Sequence, residues 1–233
     1  LIGVDYEGQV ALQNSIGIEL EAGCDNTIIG GTLGEPTRNI ISGNTNFNIS
    51  IKEASFVQII GNYVGADITG NNGPGGTTSG IQINGSVNVS DISIGLASNG
   101  SSGNVISANI NGIHVVNSTG AVGVYNNLIG TSSDGSNDMG NTDKGIWVET
   151  GAAPMSIGLS GSANTISGND GVGIHIDFSS NHFIQGNFIG TDDIASNPVP
   201  NGDGIVVEGS ASITIGGSYS LGEGNTISSN NNN

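Results

Sequence analysis

Two histidines, one tryptophan and three carboxylates recur along this chain at intervals of about 30 residues: His114, then Trp147 with Glu149, then His175 with Asp177, then Glu208. Placed on consecutive turns of a repeat, at one strand spacing of about 4.8 Å, such carboxylates could hold Ca²⁺ through oxygen ligands. They could equally share a proton, as a retaining glycosidase pair does at about 5 Å. Trp147, the only tryptophan, offers a flat platform for a sugar. A solvated sheet face also collects polar residues with no ligand at all, and Trp147 would then only cover an insertion. A second set of candidate metal ligands is Asp5, Asp67, Asp134, Asp192 and Asp193, all in loops with further oxygen donors, where hard cations bind. Asp suits such turns without metal too, because its side chain bonds the backbone two residues on, and the repeat calcium signature Gly-Gly-x-Gly-x-Asp is missing.

The elements that must position these residues follow from a repeated phrase, an apolar residue followed by Gly or Ser. It is anchored at Ile2, Ile41, Val64, Ile106, Ile129, Ile166, Ile189 and Ile227, with steps of 39, 23, 42, 23, 37, 23 and 38 residues. Such regularity marks a repeat architecture with alternating short and long turns. Two residues before each anchor after the first stands Asn: Asn39, Asn62, Asn104, Asn127, Asn164, Asn187 and Asn225. Three residues after the anchor the column alternates, with Asn44, Asn109, Asn169 and Asn230 on short turns and Asp5, Asp67, Ser132 and Asp192 on long ones.

Between anchors lie two further strand-like pieces per turn, one of the type Gly-Ile-x-apolar, as in Gly173-Ile-His-Ile176, and one like Ile213-Thr-Ile215. Strands this short cannot each form a sheet alone and must stack on their copies in neighbouring turns. The chain is therefore read as all-β over residues 1–233, a single parallel β-helix of seven to eight turns with three short strands per turn and essentially no helix. The runs Ile184-Gln-Gly-Asn-Phe-Ile-Gly-Thr-Asp192, Gly204-Ile-Val-Val-Glu-Gly-Ser210, Ile213-Thr-Ile-Gly-Gly217 and Gly224-Asn-Thr-Ile-Ser-Ser-Asn230 resemble the right-handed parallel β-helix repeats of large bacterial and archaeal surface and secreted proteins. In this picture Ile and Val form inward apolar ladders, Asn at the bends bonds backbone and the Asn one turn above, and Gly fills bends with positive φ. Seven steps would give a rod of roughly 34 Å.

On the Gly-Ile-x-apolar strand the residue after Ile must face outward. That gives one row of Glu19, Ser50, Gln82, His114, Trp147, His175 and Val206, and beside it a second of Glu21, Lys52, Asn84, Val116, Glu149, Asp177 and Glu208. The residues just before the anchors, Ile40, Tyr63, Val105, Leu128 and Phe188 among them, should form an apolar stripe, either covered by the long-turn loops or bare as an interface.

Composition narrows the function. With 20 acidic and 3 basic residues the net charge is -17, which argues against nucleic acid or an anionic membrane as partner. One cysteine, Cys24, excludes an internal disulfide, and an inert buried thiol is expected. No apolar stretch approaches a membrane span, and no signal-peptide pattern opens the chain. Beginning and ending within a repeat, it reads as a segment of a longer protein.

Many β-helix proteins cleave acidic polysaccharides. The resemblance implies, for pectate lyase-like chemistry, a basic proton acceptor beside Ca²⁺-holding acids, and only Lys144 of the three basic residues lies near the polar face. Polygalacturonase-like sites combine several Asp with His-Gly and Arg-x-Lys. Thr191-Asp192-Asp193 matches one fragment, but no His precedes Gly and Arg38 is followed by Asn39 and Ile40. A strongly negative rod would also repel a polyuronate, so a neutral glycan is the better ligand. Sequons at Asn48, Asn84, Asn88, Asn99 and Asn117 permit N-glycosylation only. The expectation is a non-catalytic structural or adhesive module of an extracellular surface protein, filament or layer, associating with itself or with neighbouring domains, with Ca²⁺ as a candidate stabiliser. The alternative is a carbohydrate-active enzyme or glycan-binding module working at the His114–Glu208 face.

Overall fold

The computed structural model describes residues 1–31, 38–85, 89–97 and 103–232. Every strand pairs in parallel with the strand one turn away, so like stacks on like in three sheets of seven strands. The first sheet holds Ile16–Leu20, Phe47–Ile51, Ser79–Asn84, Asn111–Asn117, Ile146–Val148, Val172–Asp177 and Asp203–Glu208. The second holds Ile28–Gly30, Gln58–Ile60, Ile92–Ile94, Val122–Val124, Met155–Ile157, Phe183–Ile184 and Thr214–Ile215. The third holds the anchors, in Ile40–Ile41, Tyr63–Val64, Val105–Ile106, Leu128–Ile129, Thr165–Ile166, Phe188–Ile189 and Thr226–Ile227. Among the described residues the only helix is one 3₁₀ turn, Tyr219–Leu221.

Seven strands make six steps, fewer than the seven to eight turns expected from eight anchors. The first anchor, Ile2, forms an isolated parallel bridge to Ile41 and no strand, so the stacked length is about 29 Å. The alternation of short and long turns also has a simple origin. Counted along the first sheet's isoleucine ladder, Ile18, Ile49, Ile81, Ile113, Ile146, Ile174 and Ile205, the turn stays between 28 and 33 residues. Each turn carries one insertion, placed alternately before and after its third strand, so anchor-to-anchor counts collect two insertions or none.

The interior is an apolar ladder. Ile49, Ile81, Ile113, Ile146 and Ile174 have no exposed surface, and Ile41, Val64, Ile106, Ile129, Ile166 and Ile189 face them equally buried. Each such side chain contributes about 1.5–3 kcal/mol as an upper estimate. The residues before the anchors form the expected stripe, and loops cover part of it: Ile40, Tyr63 and Val105 are buried with Val4 and Ala66, and Leu128 and Met139 pack on them.

The alternation of Gly and Ser after the anchors is a hydrogen-bonding device. Gly65, Gly130 and Gly190 take φ of 92°, 88° and 88° as the chain leaves for a long loop. A Cβ on Gly65 would lie 2.0 Å from the Ser107 carbonyl oxygen one turn on. The serines take the intervening turns. Ser107 and Ser167 donate their hydroxyls to the carbonyls of Thr131 and Thr191, at 2.8 and 2.7 Å, and accept from the N–H of Gly130 and Gly190.

Two ladders of asparagines, buried except at their ends, run along the corners. In the first, the Nδ2 of Asn39, Asn62, Asn104, Asn127, Asn164 and Asn187 each donates to the Oδ1 of the next Asn, ending at Asn225, over 2.9–3.1 Å. The same Oδ1 accepts the backbone N–H of the preceding Asn, as Asn127 does from Asn104 at 3.0 Å. The second Nδ2 hydrogen reaches a second-sheet carbonyl, Ile94 at 2.8 Å for Asn127 and Val124 at 2.8 Å for Asn164. The second ladder links Asn14, Asn44, Asn48, Asn109, Asn141, Asn169, Asn201 and Asn230. Asn48 reaches in from a first-sheet strand and links Asn44 to Asn109 across the turn where Thr77 takes the corner.

Burial removes Asn48 as a glycosylation site, while Asn84 is exposed, Asn117 is half-buried and Asn88 and Asn99 lie outside the described residues. Cys24 is half-buried where full burial was expected, and it packs against the core edge.

Asn127→Asp keeps the shape of a fully buried rung but turns a carboxylate toward the oxygens of Ile94, Tyr125 and Asn164. Unfolding in urea should show a loss of about 3 kcal/mol or more, against less than about 0.5 kcal/mol for exposed Ser220→Ala.

Candidate functional site

The first outward row stands in register, Glu19 beside Ser50, then Gln82, His114, Trp147, His175 and Val206. The second row differs from expectation at one place. A bulge between Val115 and Asn117 puts Asn117, not Val116, opposite Asn84, and the two amides bond at 3.1 Å. The extra residue fits the longest turn, 33 residues from Ile113 to Ile146. Further along, Asp177 stands directly opposite Glu208.

Side chains on this face engage one another. Lys52 bridges Glu19 and lies 3.7 Å from Glu21. His114 Nε2 meets Glu149 Oε2 at 2.5 Å. The His114 ring stacks on Trp147 with centroids 4.2 Å apart and planes 7° from parallel. The Lys144 ammonium sits over the Trp147 ring at 4.6 Å from its centroid while bonding Asp143 at 2.7 Å. An imidazole and an ammonium that close to one centroid need opposite faces, so the ring is a rung between neighbours and leaves little surface for a sugar to stack on.

Glu149 thus turns to His114, and the group of three that comes together is His175, Asp177 and Glu208, whose ligand atoms all lie within 4.8 Å of one another. Spacing puts Glu149, Asp177 and Glu208 in one row and carries no signal for which rotamer each takes.

The loop aspartates lie apart from this face, just beyond the third sheet. Asp5 Oδ1 accepts the N–H groups of Gln9 and Val10 at 2.9 and 3.1 Å, and these bonds hold its pKa low. Asp67 Oδ1 takes the N–H and hydroxyl of Thr69. Asp134 Oδ1 takes the hydroxyls of Ser132 and Ser136 and the Ser136 N–H, and its pKa is lowered by those bonds. For Asp192, burial pushes the pKa up, but bonds from the Ser196 N–H and the Asn197 amide outweigh it and the net shift is downward. Asp193 differs: burial first, then the charges of Asp192 and Asp134, raise its pKa. Four of the five therefore cap their own turns.

Asp134 and Asp193 also border a groove of about 520 Å³ on the outer surface of the third sheet, where Tyr63, Leu128 and Phe188 supply apolar lining. At one side Arg38 lies 4.0 Å over the Tyr63 ring and donates through Nε to the Gly61 carbonyl at 3.2 Å. Spacing alone predicts a stripe here, covered by loops or bare as an interface, and carries no signal for a groove between the covering loops.

No protein-family model, curated protein or solved structure matches this chain. No described helix is long and apolar enough to cross a membrane.

The third histidine, His182, has no exposed surface. Its Nδ1 accepts the Met155 N–H at 3.1 Å, so the proton of the neutral ring sits on Nε2, which donates to Ser179 Oγ at 2.8 Å. Burial lowers its pKa from the ordinary 6.5, because charging the ring would desolvate a cation and break the Met155 bond. The unfolded chain therefore binds this proton more readily. The contribution of His182 to stability is full above about pH 6.5 and is lost as pH falls from there toward the depressed folded value. Urea titrations between pH 7.5 and pH 5 should show the slope of stability against pH shrinking by up to about 1.4 kcal/mol per unit in His182→Asn; an unchanged slope would contradict a neutral buried ring.

Proposed function

We propose that this chain is a non-catalytic structural or adhesive module of an extracellular surface protein, filament or layer: a stiff rod that holds what flanks it at fixed separation and contacts partners through its faces. The observation that carries this reading is the self-pairing of the first sheet's outward face, Lys52 with Glu19 and Glu21, His114 with Glu149, and Trp147 between His114 and Lys144. A general acid or base needs its proton directed at substrate, and these groups direct theirs at each other. The surface location draws support from the net charge of -17 with only 3 basic residues, which disfavours nucleic acid and anionic lipid. Self-association or contact with neighbouring domains supplies the partners in this reading. Ca²⁺ remains a proposed stabiliser at the Asp loops.

The groove on the third sheet favours a second reading, glycan binding or a carbohydrate-active enzyme. A neutral glycan would lie against Phe188 there rather than on Trp147, and Asp134 and Asp193 would face its hydroxyls.

Electron microscopy of the native full-length protein tests the first reading, with filaments or layers containing this rod expected. Alongside it, Trp147→Ala is expected to cost about 1–3 kcal/mol of stability through lost stacking and packing while polysaccharide binding and turnover stay unaltered. Dispersed particles together with turnover that vanishes in Phe188→Ala or Trp147→Ala would overturn it in favour of the enzyme.

A further inference from the structure

In the second outward row the acidic groups of the earlier turns have a basic neighbour, Glu21 near Lys52 and Glu149 on His114. Asp177 and Glu208, directly opposite each other on adjacent strands, have between them only His175. We propose that His175, Asp177 and Glu208 bind one divalent first-row metal ion of the zinc class.

Backbone geometry brings the three together. His175 and Asp177 are two residues apart on one strand and so share a face, and the register puts Glu208 beside Asp177. Their ligand atoms all lie within 4.8 Å of one another. His175 Nε2 is 3.6 Å from Glu208 Oε2, too far for a hydrogen bond. That spacing is close to the edge of about 3.3–3.4 Å between two ligands of a tetrahedral ion with bonds of about 2.0–2.1 Å. The Glu208 side chain, 60% exposed, is free to close the remaining gap.

The second observation is an orphaned imidazole. Both ring nitrogens of His175 are out of solvent and neither has a hydrogen-bond partner, so the 14% exposure left to this side chain belongs to carbon. Unpaired buried nitrogens cost about 1–3 kcal/mol each, and metal coordination relieves one of them directly. Charge agrees, because two carboxylates and a neutral imidazole carry the -2 that a divalent ion cancels. The imidazole also selects the ion, since nitrogen suits Zn²⁺ and its neighbours in the series while Ca²⁺ and Mg²⁺ prefer all-oxygen sites. Three protein ligands leave a fourth position for water, and the bound ion ties the last two strands of the first sheet together at their C-terminal ends.

The test is calorimetric titration of ZnCl₂ into the metal-stripped chain, followed by CaCl₂ competition. The expected result is one Zn²⁺ per chain, a perturbed His175 ring signal in NMR, and affinity falling in His175→Gln, Asp177→Asn and Glu208→Gln by more than the about 10- to 100-fold that outer-shell changes typically cost. Far-ultraviolet circular dichroism checks that each variant is folded, and the His175 ring signal of the unaltered chain decides the matter if one is not. Absence of binding, binding that survives His175→Gln, displacement by equimolar Ca²⁺, or loss in His114→Gln instead of His175→Gln would each overturn the assignment.

Discussion

An asparagine side chain taken out of water carries two N–H groups and an acceptor oxygen, and each left unpaired costs about 1–3 kcal/mol. This chain buries Asn62, Asn104, Asn127, Asn164 and Asn187 completely. The only way to satisfy all of them is to repeat the same corner at the same height in every turn, so that one turn's oxygen receives the amide and backbone N–H of another. The apolar ladder gives most of the free energy of burial, but isoleucine on isoleucine is tolerant of sliding. The amide ladder is not. A strand slipped by one residue would bury its outward side chains and would strand the corner amides as well. Register, loop placement and the composition of each face all follow from that constraint.

The repeat, the three strands per turn and the first asparagine column were legible because they depend on spacing within short, uninterrupted segments. The second ladder was only half legible. Asn14, Asn141 and Asn201 all stand twelve residues after the anchors Ile2, Ile129 and Ile189, a column broken where one extra residue in the Val64 turn puts Thr77 at the corner, while Asn44, Asn109, Asn169 and Asn230 fall three residues after an anchor. The Asp and Ser residues at that offset on long turns cap the insertions, and the ladder resumes after them. The bulge that exchanges Val116 for Asn117 was hidden for a similar reason, since it is one extra residue in one turn. On the outward face the row of residues was legible, while the pairing within it was not: whether Glu149 turns to His114 or toward Asp177 is a rotamer choice that spacing does not encode.

A solenoid built this way is quasi-one-dimensional, with each turn supported by its neighbours. Its faces are then free to differ. The first sheet's outward face is closed on itself through ion pairs and the His114–Trp147 stack, and the third sheet's outer surface is shaped by the loops that flank it, where sequence can vary without disturbing the ladders. The last two strands of the first sheet interrupt the pattern, with the ring nitrogens of His175 making no hydrogen bond beside Asp177 and Glu208.

The most direct test of the ladder account is hydrogen exchange of the asparagine side-chain amides, followed by NMR on the intact chain. If the ladders hold the register, the Nδ2 hydrogens of Asn104, Asn127 and Asn164 exchange only through global unfolding, with the same free energy as the backbone amides of Ile106 and Ile129. Exchange of these side-chain hydrogens within the dead time, while the backbone of the same turns stays protected, would mean that the amides open independently and that the apolar ladder alone sets the fold.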